Sequence, residues 1–194
     1  MTAIRCVLIT ATGQTIRSLR RYSDQIRDCQ GKTYHDARNP LDVVAGWNVV
    51  VDASQFSRTD PRWPVVCDAC LYAFQPGDQW QVFPEMEYRR ADGTGGSMTL
   101  RTADLGAMWW ADWLAGHDEG LDQRTRRQGQ PHLMVKTPGG DWDIDATSSN
   151  AEGQGWTREG NPPDVVARPS IQMARYHGHL GGSAGDRPGF LIEC

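Results

Sequence analysis

The sequence lacks the features of a membrane or secreted protein. It has no apolar run approaching the roughly 18 residues that a membrane-spanning helix needs. The N-terminus, MTAIRCVLIT, has neither a long apolar core nor a small-residue cleavage site, so we expect no signal peptide. Five cysteines, an odd number, without a secretory signal argue against a disulfide framework. We therefore expect reduced thiols and a protein that is neither secreted nor embedded in a membrane.

The common catalytic signatures are also missing. The sequence contains no Gly-x-Ser-x-Gly elbow, no Walker loop and no Gly-x-Gly-x-x-Gly after a strand. The net charge is -4, from 20 Lys and Arg against 24 Asp and Glu, which is not the balance of a strongly basic nucleic-acid-binding protein. These absences favour a non-enzymatic protein, and we predict no catalytic residue.

The composition predicts a single folded domain over residues 1–194, loop-rich from about residue 146. Hydrophobic residues make up 39% of the chain, which argues against disorder, and 21 Gly with 11 Pro indicate many turns. The segments DQWQVFPEMEYRRADGTGGSMTLRT and HLMVKTPGGDWDID are typical of β-hairpins, the second turned at residues 138–140. We predict an α+β fold of mostly antiparallel hairpins with one Trp-rich helix.

The predicted helix is GAMWWADWLAGH. Trp109 and Trp113 are four residues apart, and so are Trp110 and Leu114, which is the spacing of one helical turn. Three indoles do not fit on one narrow stripe, so Trp109, Trp110 and Trp113 are candidate partner-binding residues. The simpler alternative is a helix packed on a sheet.

Cys67 and Cys70 form a Cys-x-x-Cys pair, which resembles half of a zinc knuckle. No second Cys-x-x-Cys follows, so the other two ligands would come from the remaining cysteines and histidines. These are Cys6, Cys29, Cys194, His35, His117, His132, His177 and His179. A zinc site, a degenerate knuckle with free thiols and a redox pair all remain open, although nearby prolines fit a redox motif poorly.

Three carboxylates alternate with apolar residues in DWDID. Asp141, Asp143 and Asp145 would share one face of a strand, and clustered carboxylates of this kind bind Ca²⁺ or Mg²⁺. Successive residues on one face of a strand are roughly 7 Å apart, however, which is too far for them to share one ion without help. The simpler interpretation is a half-buried strand whose polar residues face solvent.

A set of ordered motifs resembles an uncharacterised protein family that tailed bacteriophages and prophages encode. The motifs are YHDA, RWPVVCDAC with YAF, DQWQV with YRR, TLRTADLGAMWWADWL, HLMVKTPGGDWDID with SSN, PPDVVARPSI and YHGHL. They run from about His35 to Leu180. The resemblance implies phage origin but no activity. Relatives often carry a cysteine where this chain has Ala151, and this departure weakens the zinc interpretation.

Together these observations lead to a non-enzymatic phage protein, a virion-associated structural or interaction module. We expect a protein partner or self-association, no membrane, and a location in the virion or the host cytoplasm. Zinc is the one cofactor indicated. The first alternative is a small zinc-knuckle protein that binds nucleic acid, which the acidic charge does not favour. The second is a metal-dependent hydrolase that uses Asp141, Asp143 and Asp145.

Overall fold

The described part of the chain is almost entirely β-structure. The computed structural model describes residues 3–23, 29, 35–43, 49–50, 65–115, 130–146 and 157–194. Its strands are β1 (Ala3–Arg5), β2 (Val7–Ser23), β3 (His35–Val43), β4 (Val49–Val50), β5 (Gln79–Arg90), β6 (Ala107–Ala111), β7 (His132–Thr137), β8 (Gly140–Asp143), β9 (Thr157–Asn161), β10 (Asp164–Met173), β11 (Tyr176–Leu180) and β12 (Phe190–Glu193). The helical structure in these described ranges is one 3₁₀ turn, Asp112–Leu114.

The chain divides into two compact units. Unit 1 comprises Met1–Thr10, Arg89–Gly96 and Thr102–Cys194, and unit 2 comprises Ala11–Tyr88 and Ser97–Arg101. Strands β2 and β5 therefore contribute residues to both units. The single domain expected from the sequence stays a prediction.

Unit 1 contains a five-stranded antiparallel sheet in the order β1-β12-β11-β10-β9. Its first and last strands in the chain are partners, with Ala3 opposite Ile192. The start of β2 pairs in parallel with β6, and β6 continues antiparallel to β7 and then β8. Four strands, β9 to β12, lie in the C-terminal region that the sequence marks as loop-rich.

The core of unit 1 is apolar and comes from both groups of strands. Alternation along each strand sends one set of side chains inward. The buried members are Cys6, Met108, Leu133, Val135, Ile144, Val165, Ala167, Ile171, Tyr176, Leu180 and Leu191. These side chains bury their apolar surface without a metal or a charge, and they stabilise unit 1 through the hydrophobic effect.

Unit 2 has its strands in the order β4-β5-β2-β3. β3 lies antiparallel to β2, and its first residue, His35, is opposite Ser23. The described apolar cluster here is small: it consists of Cys29, Ala37, Cys67 and Phe74, with Ala69 and Tyr72 packed against it. Two of its four buried members are cysteines.

The predicted α+β class and its Trp-rich helix are wrong. Residues 107–111 form β6, whose backbone is hydrogen-bonded to β2 on one side and to β7 on the other. Met108 and Trp109 are neighbours in sequence and both are buried, because this strand is covered on both faces. A short apolar run of that kind has the same appearance in a buried strand and in a buried helix, so spacing alone misassigned it.

The hairpin predicted at residues 138–140 is confirmed, since β7 and β8 pair antiparallel with Thr137 opposite Gly140. The other predicted hairpin is reduced to a single bridge between Tyr88 and Met98. None of the helical structure found in the described ranges is long and apolar enough to cross a membrane.

Candidate metal centre

Cys67 and Cys70 lie on a ten-residue turn, Val65–Phe74, which we call the knuckle. Val66 and Ala73 form a β-bridge at its base, and the N–H of Phe74 donates to the carbonyl of Val65 at 3.1 Å. Across the turn, the N–H of Cys67 donates to the carbonyl of Tyr72 at 2.8 Å. This reversal of the chain brings two thiol groups, three residues apart, to the same side.

Cys29 and His35 complete the cluster. His35 begins β3 and is 2% exposed, and Cys29 is 1% exposed. The Sγ atoms of Cys29 and Cys67 are 3.6 Å apart, and Nδ1 of His35 is 3.1 Å from Sγ of Cys70. One ligand atom from each of the four residues lies within 4.8 Å of all the others. These residues therefore form a four-ligand cluster that could bind a metal ion such as zinc.

The geometry and chemistry of the cluster fit a tetrahedral zinc ion. Zinc binds sulfur at about 2.3 Å and nitrogen at about 2.0–2.1 Å, so neighbouring ligand atoms in a tetrahedron are about 3.6–3.8 Å apart. The separations of 3.6 Å and 3.1 Å lie close to those values, and the other pairs of ligand atoms, all within 4.8 Å, would move closer together around an ion. Three thiols and one imidazole are a soft ligand set, and Cys₃His is a common set for structural zinc.

The protein already stabilises a thiolate at Cys67. Burial raises the pKa of this thiol, but backbone N–H groups of Asp36, Ala69 and Cys70 outweigh that effect and lower the pKa to about 7. The N–H groups of Asp36 and Ala69 lie 3.4 Å and 3.5 Å from Sγ. Such N–H groups around a cysteine sulfur stabilise the charged form that a metal ion requires.

The pKa of the Cys29 thiol is shifted in the opposite direction. Burial, together with the neighbouring sulfur atoms of Cys70 and Cys67, raises the pKa of its thiol to about 12. Several thiolates placed together repel one another and are poorly solvated. A divalent cation removes both costs, because it provides the opposite charge that lets all the thiols ionise.

The aromatic side chains of the knuckle hold the imidazole in place. The ring of His35 stacks on that of Tyr72, with centroids 4.0 Å apart and planes within 7°. Phe74 packs edge-on against Tyr72 at 5.8 Å. Stacking restricts rotation of the His35 ring and leaves Nδ1 beside Cys70, so the ligand is oriented before any metal binds.

Charged side chains join the knuckle to the sheet of unit 2. Asp36, which follows His35, contacts Arg20 at 3.1 Å and Arg38 at 3.2 Å. Arg101 contacts Asp68, which follows Cys67, at 2.8 Å, and it also donates to the carbonyl of Arg38. His35 and Cys67 are thus each followed by a carboxylate paired with arginine, which helps to fix the position of these two ligands.

The carboxylates of DWDID do not gather into one site. Asp141 is exposed and lies 3.6 Å from Lys136. Asp143 accepts from Nδ1 of His132 at 2.7 Å. Asp145 is paired with Arg158 at 2.9 Å, and both side chains are buried. Each carboxylate has a separate partner, and Asp145 points inward rather than to solvent.

The three tryptophans proposed as partner-binding residues lie in different environments. Trp109 is 1% exposed and belongs to the interior of unit 1, so its ring is not available to a partner. Trp110 and Trp113 are 36% and 55% exposed. The guanidinium of Arg158 lies 5.2 Å from the ring centre of Trp110.

Sequence reasoning found half of the cluster and missed the assignment of the rest. Cys29 and His35 were among eight possible ligands, and only His177 and His179 were noted as a pair. The signal was the Cys29–His35 spacing, with five residues between them, which matches the spacing of ligand pairs in many zinc sites.

No protein-family model matches the chain, and the searches of curated proteins and of solved structures found no match to it.

Proposed function

We propose that this protein is a non-enzymatic interaction module whose unit 2 is organised by one structural zinc ion. The ligands are Cys29, His35, Cys67 and Cys70. The observation that carries the proposal is the convergence of these four side chains within 4.8 Å from two separate segments of the chain. A closed set of four protein ligands leaves no open position for substrate or water, which is typical of structural rather than catalytic zinc.

Zinc would stabilise the part of unit 2 that surrounds its ligands. Four buried residues form the described apolar cluster of unit 2, and two of them, Cys29 and Cys67, are ligands. A structural zinc site contributes about 10 kcal/mol or more to folding in zinc-finger peptides. Metal binding on that scale is large enough to hold a small unit together.

The charges around the knuckle support a protein partner rather than nucleic acid. Residues 65–88 contain no Lys or Arg, and the arginines that lie beside the knuckle, Arg20, Arg38 and Arg101, are paired with Asp36 or Asp68. Binding to a phosphate backbone needs cationic side chains.

A virion location rests on the motif resemblance alone. Detection of the protein in purified phage particles by mass spectrometry would support this location, and its absence from them would refute it.

Native mass spectrometry of protein purified without chelator tests the zinc site. We expect a mass excess of one zinc ion per chain, which is lost on denaturation. Changing Cys29 or Cys67 to Ser removes a ligand and should abolish stoichiometric binding. The same change at exposed Cys194, which lies outside the cluster, should leave one zinc per chain.

A buried control separates ligand loss from general damage. Cys6 is as buried as Cys29 but belongs to the core of unit 1. Cys6→Ala should retain zinc, whereas Cys29→Ala should not. Wild-type protein without metal after zinc supplementation, or equal zinc retention in the two variants, would refute the proposed site.

A further inference from the structure

The cysteine ligands of the proposed zinc site differ in their exposure to solvent. Cys70 is exposed, whereas Cys29 and Cys67 are each 1% exposed. A thiolate is oxidised only where the oxidant can reach it, so exposure selects the sulfur atom that reacts first. A small oxidant in solution therefore meets the cluster at Cys70.

Cys29 lies where it can react with an oxidised Cys70. Its sulfur belongs to a separate segment of the chain and is within 4.8 Å of the Cys70 sulfur. A disulfide bond is about 2.05 Å long, so the two atoms must approach by less than about 3 Å. Rotation of a cysteine side chain from one staggered χ1 position to the next moves its sulfur by about 3 Å. A disulfide between these residues is therefore within reach of a side-chain rotation.

Cys67 is less suited to that reaction, although its sulfur also belongs to the cluster. The backbone N–H groups of Asp36 and Ala69 lie 3.4 Å and 3.5 Å from the Cys67 sulfur. These groups stabilise negative charge on the sulfur, and a thiolate that is stabilised in this way is a weaker nucleophile. The reaction with an oxidised Cys70 therefore falls to Cys29.

We propose that the zinc site is a peroxide-sensitive switch, in which hydrogen peroxide joins Cys29 to Cys70 and releases the ion. The inference rests on the proposed function, because it concerns the same four ligands. In the first step the Cys70 thiolate attacks peroxide: a sulfur–oxygen bond forms, the oxygen–oxygen bond breaks and hydroxide leaves. In the second step the Cys29 thiolate attacks the Cys70 sulfur: the disulfide forms, the sulfur–oxygen bond breaks and a second hydroxide leaves.

The disulfide removes half of the ligand set. Two electrons pass from the sulfur atoms to one peroxide molecule, so each chain consumes one equivalent. Cys67 and His35 are left as ligands, whereas structural zinc is almost always held by four. The ion therefore leaves when the disulfide forms. A dithiol that reduces the disulfide returns both thiols to the site, which can then bind zinc again.

Zinc release from the loaded protein, followed with a chromogenic zinc indicator, tests the switch. After addition of hydrogen peroxide we expect one zinc ion per chain to be released. The mass of the denatured chain should fall by two hydrogen atoms, and peptide mapping should find Cys29 linked to Cys70. Treatment with a dithiol followed by added zinc should restore one ion per chain.

Cys70→His tests whether the exposed thiol is the point of attack. The variant keeps four ligands in a Cys₂His₂ set, which also suits zinc, but it has no exposed thiol in the cluster. It should lose zinc to peroxide at least about tenfold more slowly than the wild type, because the remaining thiols are buried. Cys6→Ala and Cys194→Ser are the matched controls, since one removes a buried thiol and the other an exposed thiol outside the cluster. Both controls should release zinc at the wild-type rate.

The zinc content before oxidation separates the two proposals. A wild-type chain that binds no zinc overturns the proposed function and this inference with it. A zinc-loaded wild-type chain that keeps its ion in excess peroxide overturns this inference alone. So does a disulfide that does not join Cys29 to Cys70, or a zinc-loaded Cys70→His variant that releases zinc as fast as the wild type. The peptide map of the wild type identifies the disulfide independently of any variant.

Discussion

Among the described residues, the apolar cluster of unit 1 has one cysteine among its eleven buried side chains, whereas the cluster at the knuckle of unit 2 has two cysteines among four. In unit 1 a thiol such as Cys6 is simply a small apolar side chain, and burial raises its pKa to about 12. In unit 2 the buried thiols lie beside a histidine and one another, and paired charges surround them. The same residue type is therefore part of an apolar core in one unit and a candidate metal ligand in the other. The difference is set by what surrounds each sulfur atom.

This comparison implies that the units respond to different perturbations. Unit 1 should depend on packing and on its buried ion pair, and unit 2 should depend on the metal. The three predictions below test this separation, in order of decreasing effect.

Removing zinc with a strong chelator should unfold the knuckle and leave unit 1 folded. Without the ion, Cys29, Cys67 and Cys70 lose the charge that holds them together, and structural zinc contributes about 10 kcal/mol or more to folding in zinc-finger peptides. Hydrogen exchange followed by mass spectrometry should show rapid exchange at the N–H groups of Cys67 and Leu71. The N–H groups of Ile144 and Gly181, bonded within unit 1, should stay protected. Equal protection of the knuckle with and without zinc would contradict the comparison.

Changing Arg158 to Met should lower the free energy of unfolding by about 3–5 kcal/mol, because it leaves Asp145 as a buried charge without its partner. The side chains of Arg158 and Asp145 are 6% and 5% exposed. Urea denaturation measures this change in the free energy of unfolding, and the zinc content of the variant should equal that of the wild type. The double variant with Asp145→Asn removes the charge and keeps an acceptor for the N–H of Leu133, so it should recover part of the loss.

A surface pair of unit 1 provides the control for that variant. Asp141 lies 3.6 Å from Lys136 and is 47% exposed. Asp141→Asn should change the free energy of unfolding by less than about 1 kcal/mol, as is usual for exposed ion pairs. If it costs as much as Arg158→Met, burial is not the reason for the larger effect.

Of the three predictions, leaving the surface control aside, Ile171→Val has the smallest expected effect. Ile171 is fully buried in the unit 1 core, and deleting one methylene there typically costs about 0.5–1.5 kcal/mol. Urea denaturation should show that loss, with the zinc stoichiometry unchanged. A coupled loss of zinc would show that the two units are not energetically separate.

The features that the sequence predicted correctly are those that depend on residues close together in the chain. The turn at residues 138–140 and the Cys-x-x-Cys pair both depend on residues close in the chain, and the structure contains the hairpin and the clustered thiols. The four-ligand set was not assigned, because Cys29 and His35 meet the knuckle only after the chain folds. Thirty-one residues separate His35 from Cys67.

The errors arose where burial hides periodicity. Met108 and Trp109 are both buried in β6, so no alternation marked the strand, and tryptophans four residues apart suggested a helix instead. In DWDID the alternation predicted a strand over all five residues, but β8 ends at Asp143, and Ile144 and Asp145 lie in a bend. The inward position of Asp145 was not predicted, because it depends on Arg158, which lies beyond the hairpin.

The pairing of β1 with β12 has a consequence for the order in which the protein can fold during synthesis. All four proposed ligands have been made once residue 70 is in the chain, and unit 2 needs nothing beyond Arg101. Ala3, by contrast, is opposite Ile192, near the C-terminus. β1 must therefore wait until β12 has been made. The unit with the proposed metal site can mature on the nascent chain before that, so a chain cut short before β12 can keep the four ligands and still lack the strand that pairs with β1.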